Sequence, residues 1–355
     1  MSLCTITPLA NTPRSFALNS TLYQGSSTAI TSLGNPSRGN LAVLASASLP
    51  NGTIVASLGV ADVSYVLPEK EWSSGDYGDL GGWCGSEIEE GAYFQYSFPL
   101  NDFFVFKTAP AHYGCGVSTQ TSDATWAPGI CWSNAVPDAE ARASFTFADR
   151  TKLSFDGRGY HDSNWGISPL FKNMIGECWG HAVLGPFSVV WSLVIGVDGK
   201  NYTSAYVSRN GVVLTSSCQP TDFTMTMQGG ATFPPTIPTR VKISSFGLSF
   251  VLANGDGVLD VVVNKLVIAM LGGKGVFIRW TGSAKGGISG SNAFDGVAFS
   301  ESFALLASTP SSTIITSVQT RSPSTFTQSA NNIQASAAMF HNLSTLLAVI
   351  IAMVV

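Results

Sequence analysis

The sequence predicts an all-β protein of antiparallel strands and tight turns. Glycine accounts for 36 of the 355 residues, and with abundant Ser and Thr it suits short strands joined by turns. Apolar, β-branched runs are punctuated by two-residue turn signals of the Asp-Gly and Asn-Gly kind. No long segment repeats its apolar residues at helical spacing between capping signals, so no helix is expected. Many short strands at regular turns point to barrels or sandwiches.

Taken in chain order, AYFQYSFPLNDFFVFKTAPAHY (92–113) carries eight Phe or Tyr residues. It reads mostly as β core, with Phe104 as a candidate pocket ring and Lys107 and His112 as polar exceptions. The Pro- and Ala-containing WSNAVPDAEARAS (132–144) is the best seam. It divides the body into an N-terminal β domain over 1–140 and a C-terminal one over 141–305. ASFTFADRTKLSF alternates Phe145 and Phe147 on one face, then Leu153 and Phe155 after a turn. In WSLVIGVDGKNYTSAYVSRNGVVLTSS (191–217), apolar runs flank Asp198-Gly199, and Asn210-Gly211 turns the chain again. VKISSFGLSFVLANGDGVLDVVVNKLVIAM repeats strand, turn and strand around NGDG.

Residues 306–355 read as a stalk and an apolar tail. Residues 308–329 hold 13 Ser or Thr among 22, a composition with too little apolar surface to join a β core. The small residues Ser329, Ala330 and Asn331, a polar spacer and the uncharged run LSTLLAVIIAMVV follow. That run is short for a membrane-spanning helix, and the arrangement matches a glycosylphosphatidylinositol attachment signal. A chance apolar run is the alternative.

Only 11% of residues are charged, against about 25% in a typical soluble domain. A net charge of −4 and the lack of a basic stripe argue against nucleic acid. There is no P-loop and no GxGxxG between a strand and a helix, so no nucleotide cofactor is expected. Cys4, Cys84, Cys115, Cys131, Cys178 and Cys218 are scattered without CxxC pairs, and there are only four His; no metal site is expected. An even cysteine count suits three disulfides in an oxidising compartment. Cys178 and Cys218 flank one hairpin region and are expected to pair. The sequons at Asn19, Asn51, Asn201 and Asn342 agree with a secretory, extracellular or cell-surface destination. MSLCTITPLA lacks the charged and apolar regions of a signal peptide, which leaves either a removed leader or a different compartment.

The densest polar cluster is FDGRGYHDSNWG (155–166). Strand alternation puts Tyr160, Asp162 and Asn164 on one face and His161 on the other. One reading is a Gly-framed turn whose rings plug a barrel and whose Asp and Asn satisfy backbone groups. The other is a Tyr–Asp pair in an apolar pocket, with burial raising the Asp towards proton donation. No GxSxG elbow or Ser-His-Asp spacing supports nucleophilic hydrolysis.

GRGYHDSNWG (157–166) resembles the GxGYHDHNWG signature of the carotenoid 1,2-hydratase and AttH-like superfamily. GHAVLGPFSVVWS (180–192), the Asp-Gly hairpin with SAYVSRNGVVL, and RWTGSAKGGISGSNAFDGVAFSESF (279–303) are similar too. The resemblance implies two lipocalin-like antiparallel β-barrel or β-sandwich domains packed together, with an apolar ligand pocket. Its secreted fungal hetero-Diels–Alderases, which join tropolone quinone methides to humulene, are the subgroup that the cysteines, the sequons and the lack of cofactor motifs match. The Tyr-His-Asp of the signature falls on Tyr160, His161 and Asp162, and its Trp on Trp165. Ser163 replaces the usual second His, which counts against a proton-shuttling hydratase.

The expected function is therefore a cofactor-independent hetero-Diels–Alderase of fungal meroterpenoid biosynthesis. An isoprenoid hydratase or cyclase, and a non-catalytic carrier of apolar metabolites, are the alternatives. Tyr160, Asp162 and His161 are the candidate catalytic residues. Asn164, Trp165, Trp191, Trp280, Phe104 and Lys107 are the candidate substrate contacts, with Trp191 and Trp280 alternatively filling the second barrel.

Overall fold

The computed structural model describes residues 2–8, 17–24, 41–48, 53–60, 65–68, 72–76, 82–86, 93–98, 101–115, 124–146, 150, 152–166, 173–229, 243–272, 277–304 and 326–329. Side chains are described from residue 108 onward, with exceptions that include Trp165. Among the described residues there is no α-helix, and a single 3₁₀ turn spans Ala253–Gly255.

The first strands are β1 (Ser2–Pro8), β2 (Ala17–Gln24), β3 (Leu41–Ser48), β4 (Thr53–Val60), β5 (Tyr65–Pro68) and β6 (Trp72–Asp76). After them come β7 (Gly82–Ser86), β8 (Tyr93–Phe98), β9 (Asn101–Lys107), β10 (Thr125–Ala127), β11 (Ile130–Thr146) and β12 (Lys152–Gly166). A second group consists of β13 (Met174–Leu184), β14 (Phe187–Gly196), β15 (Asn201–Arg209), β16 (Val212–Ser217) and β17 (Phe223–Gln228). It is completed by β18 (Ser245–Val251), β19 (Val258–Gly272), β20 (Phe277–Ile288) and β21 (Phe294–Ala304). The last strand is β22 (Phe326–Ser329).

Two antiparallel sheets result. The first has 13 strands in the order β22-β4-β3-β2-β1-β12-β11-β9-β8-β7-β6-β5, with β10 added on β11. The second has nine, ordered β16-β15-β14-β13-β21-β20-β19-β18-β17. It curls so that its edges approach: Thr215 Oγ1 on β16 donates 2.8 Å to the Val251 carbonyl, and Ser217 Oγ donates 2.6 Å to Asp222 before β17. Its concave face holds an apolar core of Leu184, Phe187, Val189, Trp191, Val207, Phe246, Phe250, Val261 and Trp280, among others. The predicted all-β, lipocalin-like architecture is what is found.

The expected turns are found as well. Asn210 and Gly211 both take positive φ, 49° and 79°, which the tight hairpin between β15 and β16 requires. At Gly180 on β13 a Cβ would lie 2.3 Å from Cζ2 of Trp191, so only glycine lets that indole cross the sheet.

Two expectations need correction. The 132–144 stretch expected to be a break in the chain is continuous strand, inside the 17-residue β11. Pro137 has no N–H to give the ladder, and the pairing with β12 shifts register between Ser133 and Val136 and again between Val136 and Ala139. The chain changes sheet further on, between Gly166 and Met174. In the tail, Phe326–Ser329 pairs antiparallel with β4, so these four residues do join a sheet. Thr and Phe favour extended backbone, and β4 offers an edge there. The rest of the stalk and the attachment signal lie outside the described residues.

Candidate functional site

Strand β12 presents Tyr160 and Asp162 on one face, and the two side chains touch: the Tyr160 hydroxyl donates 2.9 Å to Asp162 Oδ2. The neighbouring strand completes the cluster. β11 pairs Trp132 with Asn164, which brings the Trp132 indole N–H 2.8 Å from the same Asp162 Oδ2. Asn134 Oδ1 faces the Tyr160 hydroxyl too, whose single proton is shared between it and Asp162 Oδ2. The irregularity that follows Ser133 re-aims β11 at this point. Asn134 instead exchanges backbone hydrogen bonds with His112, at 3.0 and 2.7 Å.

The second sheet closes the cluster with its convex face. His181 on β13 stacks on Tyr160, ring centroids 4.7 Å apart at 15°. Trp179 tilts against Tyr160 at 5.1 Å, and Phe299 on β21 backs Trp179 and His181 at 6.1 and 6.2 Å. Register aligns Ser192, Trp179, Glu301 and Arg279 across four adjacent strands. In that row Arg279 Nε donates 2.6 Å to Glu301 Oε2 in a fully buried ion pair. Glu177, also buried, accepts from Ser192 Oγ at 3.2 Å.

Burial dominates the electrostatics. Asp162 is 2% exposed, and desolvation raises its pKa from 3.8 to about 7; the nearby Glu301 charge adds to this, while the Trp132 and Tyr160 hydrogen bonds act against it. The carboxyl group therefore holds its proton for much of the time at neutral pH. Tyr160 is pushed well above the usual phenol range, by burial first and then by Asp162. Glu177 is raised by burial and by Glu301. His181 falls from 6.5 to about 3, through burial and then the Arg158 charge. It is a neutral ring at physiological pH. Arg158 is tied to Asp138 by two contacts, one at 3.1 Å from Nε to Oδ1.

A segment after β9 crosses to the second sheet and walls the site. Its His112 packs edge-on to Trp132 at 5.6 Å, with ring nitrogens 2.7 Å from Ser216 Oγ and 2.8 Å from Ser204 Oγ. Burial lowers its pKa from 6.5 to about 3. The Tyr206 hydroxyl donates 2.9 Å to the Pro110 carbonyl, and a disulfide joins Cys115 to Cys218. This corrects the expected Cys178–Cys218 pair. Cys178 lies buried on β13, on the core face and outside that disulfide, its thiol donating 3.3 Å to Ser302 Oγ. Cys131 is in no disulfide either, so three disulfides do not form; the side chains of Cys4 and Cys84 lie outside the described residues.

Of the other candidates, His161 is buried on the opposite face of β12, its pKa lowered by desolvation from 6.5 to about 4. Strand alternation thus removes it from the Tyr160–Asp162 cluster despite its place in the signature. Asn164 is half-buried on the cluster's face. Trp191 and Trp280 belong to the concave core, with Trp280 edge-on to Phe246 at 5.8 Å; they fill the second barrel, on the opposite face from Trp179 and Glu301. The side chains of Trp165, Phe104 and Lys107 lie outside the described residues. Among the sequons, Asn201 is exposed at the start of β15. Asn51, Asn342 and the Asn19 side chain fall outside the described set.

Sequence reasoning missed Trp132, Asn134, Trp179, His181, Glu177, Glu301 and Arg279 as site residues. A signal existed for the charged ones: in a chain this poor in charge, a Glu or Arg within an apolar strand, as in ECWGH and IRW, faces a partner rather than a core. Asn134 carried none, since its placement depends on the register shift. Among the described residues no three His, Cys, Asp or Glu converge to hold a metal ion.

Comparison with known proteins bears on this same region. The model of the family described as Diels-Alderase-like matches residues 106–242. This stretch is similar to that family. It contains His112, Trp132, Asn134, Tyr160, Asp162, Trp179 and His181, whereas Arg279 and Glu301 lie beyond it. The chain is 33% identical over 208 residues to the quinolone epoxide rearrangement protein asqO of Emericella nidulans, covering 56% of this chain and 55% of that one. The quinolone epoxide rearrangement protein penF of Penicillium thymicola is 29% identical over 196 residues, covering 55% and 53%. The matches thus span about half the length of these curated relatives. Among solved structures, CghA superposes with a TM-score of 0.67 at 14% identity, covering 86% of this chain and 87% of CghA. A putative AttH from Nitrosomonas europaea gives 0.51 at 13%, covering 84% and 91%. At these identities the likeness is one of fold, and that fold is the lipocalin-like one that the GRGYHDSNWG resemblance implies.

Proposed function

We propose that the protein is a cofactor-independent pericyclase or rearrangement enzyme, in which Asp162 is the acid that sets off bond reorganisation in an oxygen-bearing, largely apolar substrate. The observation that carries this is the buried Tyr160–Asp162–Trp132–Asn134 cluster, where Asp162 retains a proton near neutrality and aromatic rings exclude water. Oriented in such a site, reacting partners gain about 7–11 kcal/mol from positioning alone. The Asp adds general acid assistance, typically worth about 10²–10⁴-fold.

Two specific forms share this acid. In the first, which the sequence resemblance implies, Asp162 protonates a departing hydroxyl on a tropolone. Water leaves, an o-quinone methide remains, and it adds to a humulene-type macrocyclic alkene. In the second, suggested by the names of the relatives, the proton goes to an epoxide oxygen as its C–O bond breaks, and the skeleton rearranges. In either form the Asp162 carboxylate left behind is reprotonated to the acid by a proton returned from the product or from water. The remaining expectations, secretion, glycosylation and a lipid anchor, belong to this reading as proposals.

Asp162→Asn tests the acid. It keeps the size and both hydrogen bonds onto the carboxyl oxygen, and it removes the proton source. Assayed with a hydroxymethyl-tropolone plus humulene, and separately with a quinolone epoxide, the variant is expected to lose about 10²–10⁴-fold on the accepted substrate. Full activity in the variant would refute the role. A wild type that binds such molecules and turns over none of them would instead be a carrier.

A further inference from the structure

We propose that Asn134 and Asp162 form a two-donor cradle for one acceptor oxygen of the substrate, a carbonyl, epoxide or departing hydroxyl oxygen on an otherwise apolar molecule. The inference rests on the reading of Asp162 as an acid and names the substrate group which that acid meets.

Within the Tyr160–Asp162–Trp132–Asn134 cluster, Asn134 Nδ2 and Asp162 Oδ1 lack a hydrogen-bond partner among the described residues, as does the Trp179 indole nitrogen in the wall beside Tyr160. Asn134 and Asp162 are both fully buried, at 0% and 2% exposure, where an unsatisfied polar group is costly. One hydroxyl orients both. Tyr160 engages Asn134 Oδ1 and Asp162 Oδ2, so the amide NH₂ and the second carboxyl oxygen are the ends left over. The chemistry of those ends follows. Trp132 N–H donates to Oδ2, which also faces the Tyr160 proton that Asn134 Oδ1 shares, and this leaves Oδ1 to carry the proton when Asp162 is protonated. The amide end of Asn134 can only donate. Two buried donors without acceptors suit one oxygen with two lone pairs, the arrangement that stabilises negative charge growing on oxygen.

The same geometry separates binding from acid catalysis. In Asp162→Asn, Trp132 N–H and the Tyr160 hydroxyl keep the amide oxygen at the Oδ2 position, so the NH₂ occupies the Oδ1 position. The donor stays and the acid is gone. Asp162→Leu removes both, and Asn134→Leu removes the other donor at similar size.

The test is equilibrium binding, followed by tryptophan fluorescence, of N-methyl-2-quinolone, which offers a carbonyl acceptor and no donor, against 2-methylnaphthalene, which has a similar shape and no oxygen. Wild type and Asp162→Asn are expected to prefer the quinolone about tenfold, a hydrogen bond's worth. Asn134→Leu and Asp162→Leu are expected to lose most of that preference while still binding the hydrocarbon, which also reports that they are folded. Equal binding of the two probes by wild type overturns the cradle, and so does undiminished preference in Asn134→Leu. If Asp162→Asn loses turnover but keeps the preference, both readings stand. If it keeps turnover and preference alike, the acid fails and the cradle survives.

Discussion

Asp162 should make the protein less stable as pH rises, and the size of that effect follows from its surroundings. Desolvation holds its pKa at about 7 in the folded chain, against 3.8 once unfolded and hydrated. The folded state then binds this proton more tightly than the unfolded state does, so between about pH 4 and pH 7 unfolding is favoured progressively, and above that the effect levels off. At 1.36 kcal/mol per pH unit, the full effect is about 4 kcal/mol. Asp162→Asn lacks the titration and keeps the contacts with Trp132 and Tyr160. His112, His161 and His181 have lowered pKa values and act the other way, adding stability as pH rises through the acid range, while Glu177 acts as Asp162 does. All four are present in both proteins and cancel in the difference. Urea unfolding at pH 4, 6 and 8 should show near-equal stability at pH 4 and a variant ahead by roughly 3–4 kcal/mol at pH 8. A difference that stays flat across that range, or shrinks, refutes the idea that burial sets the proton affinity of Asp162.

Three further outcomes are expected. Replacing Cys115 and Cys218 by Ser opens a cross-link spanning 103 residues of sequence, for which loop-closure entropy gives about 4.7 kcal/mol; urea unfolding at fixed pH measures it, and a loss below about 1 kcal/mol would contradict the entropic account. Arg279→Met strands the buried Glu301 carboxylate and should cost about 3–5 kcal/mol, most of it regained when Glu301→Gln is added; a double variant no more stable than the single one would count against a shared ion pair. Gly180→Ala places a methyl against Trp191 and should cost about 1–3 kcal/mol, visible as a lower Tm with a changed near-ultraviolet tryptophan signal, and an unchanged Tm would contradict the close approach.

The second sheet was the more legible one because its strands announce themselves in both pattern and punctuation. Asn210-Gly211 and Asp198-Gly199 sit where its hairpins turn; in the first sheet, the alternation of Tyr160, His161 and Asp162 along β12 separates the pair from the histidine. The partners of that pair were hidden, since contacts between sheets follow from how the sheets stack, which no local pattern encodes. Trp132 looked like part of a seam between domains because Pro137 and several alanines suggest a break, whereas in the fold the proline marks an irregular point in a long strand. Cys178 and Cys218 are near in sequence around one hairpin, but strand alternation turns Cys178 into the core. The true partner, Cys115, comes from the segment that crosses over from the other sheet.

Strand β13 serves two masters in alternate residues: Glu177, Trp179 and His181 look towards the first sheet, and Cys178, Gly180 and Ala182 look into the barrel. Substitutions can therefore tune one side with little effect on the other, and divergent relatives are free to change chemistry on an inherited barrel. Length is a different matter. Deleting a single residue within β13 would exchange the two sets, turning a glutamate and a histidine into the apolar interior and bringing the thiol and the methyl to the site. Insertions and deletions among natural variants should accordingly gather at the hairpin tips, at Gly185–Pro186 and Asp198–Lys200, and avoid the body of β13.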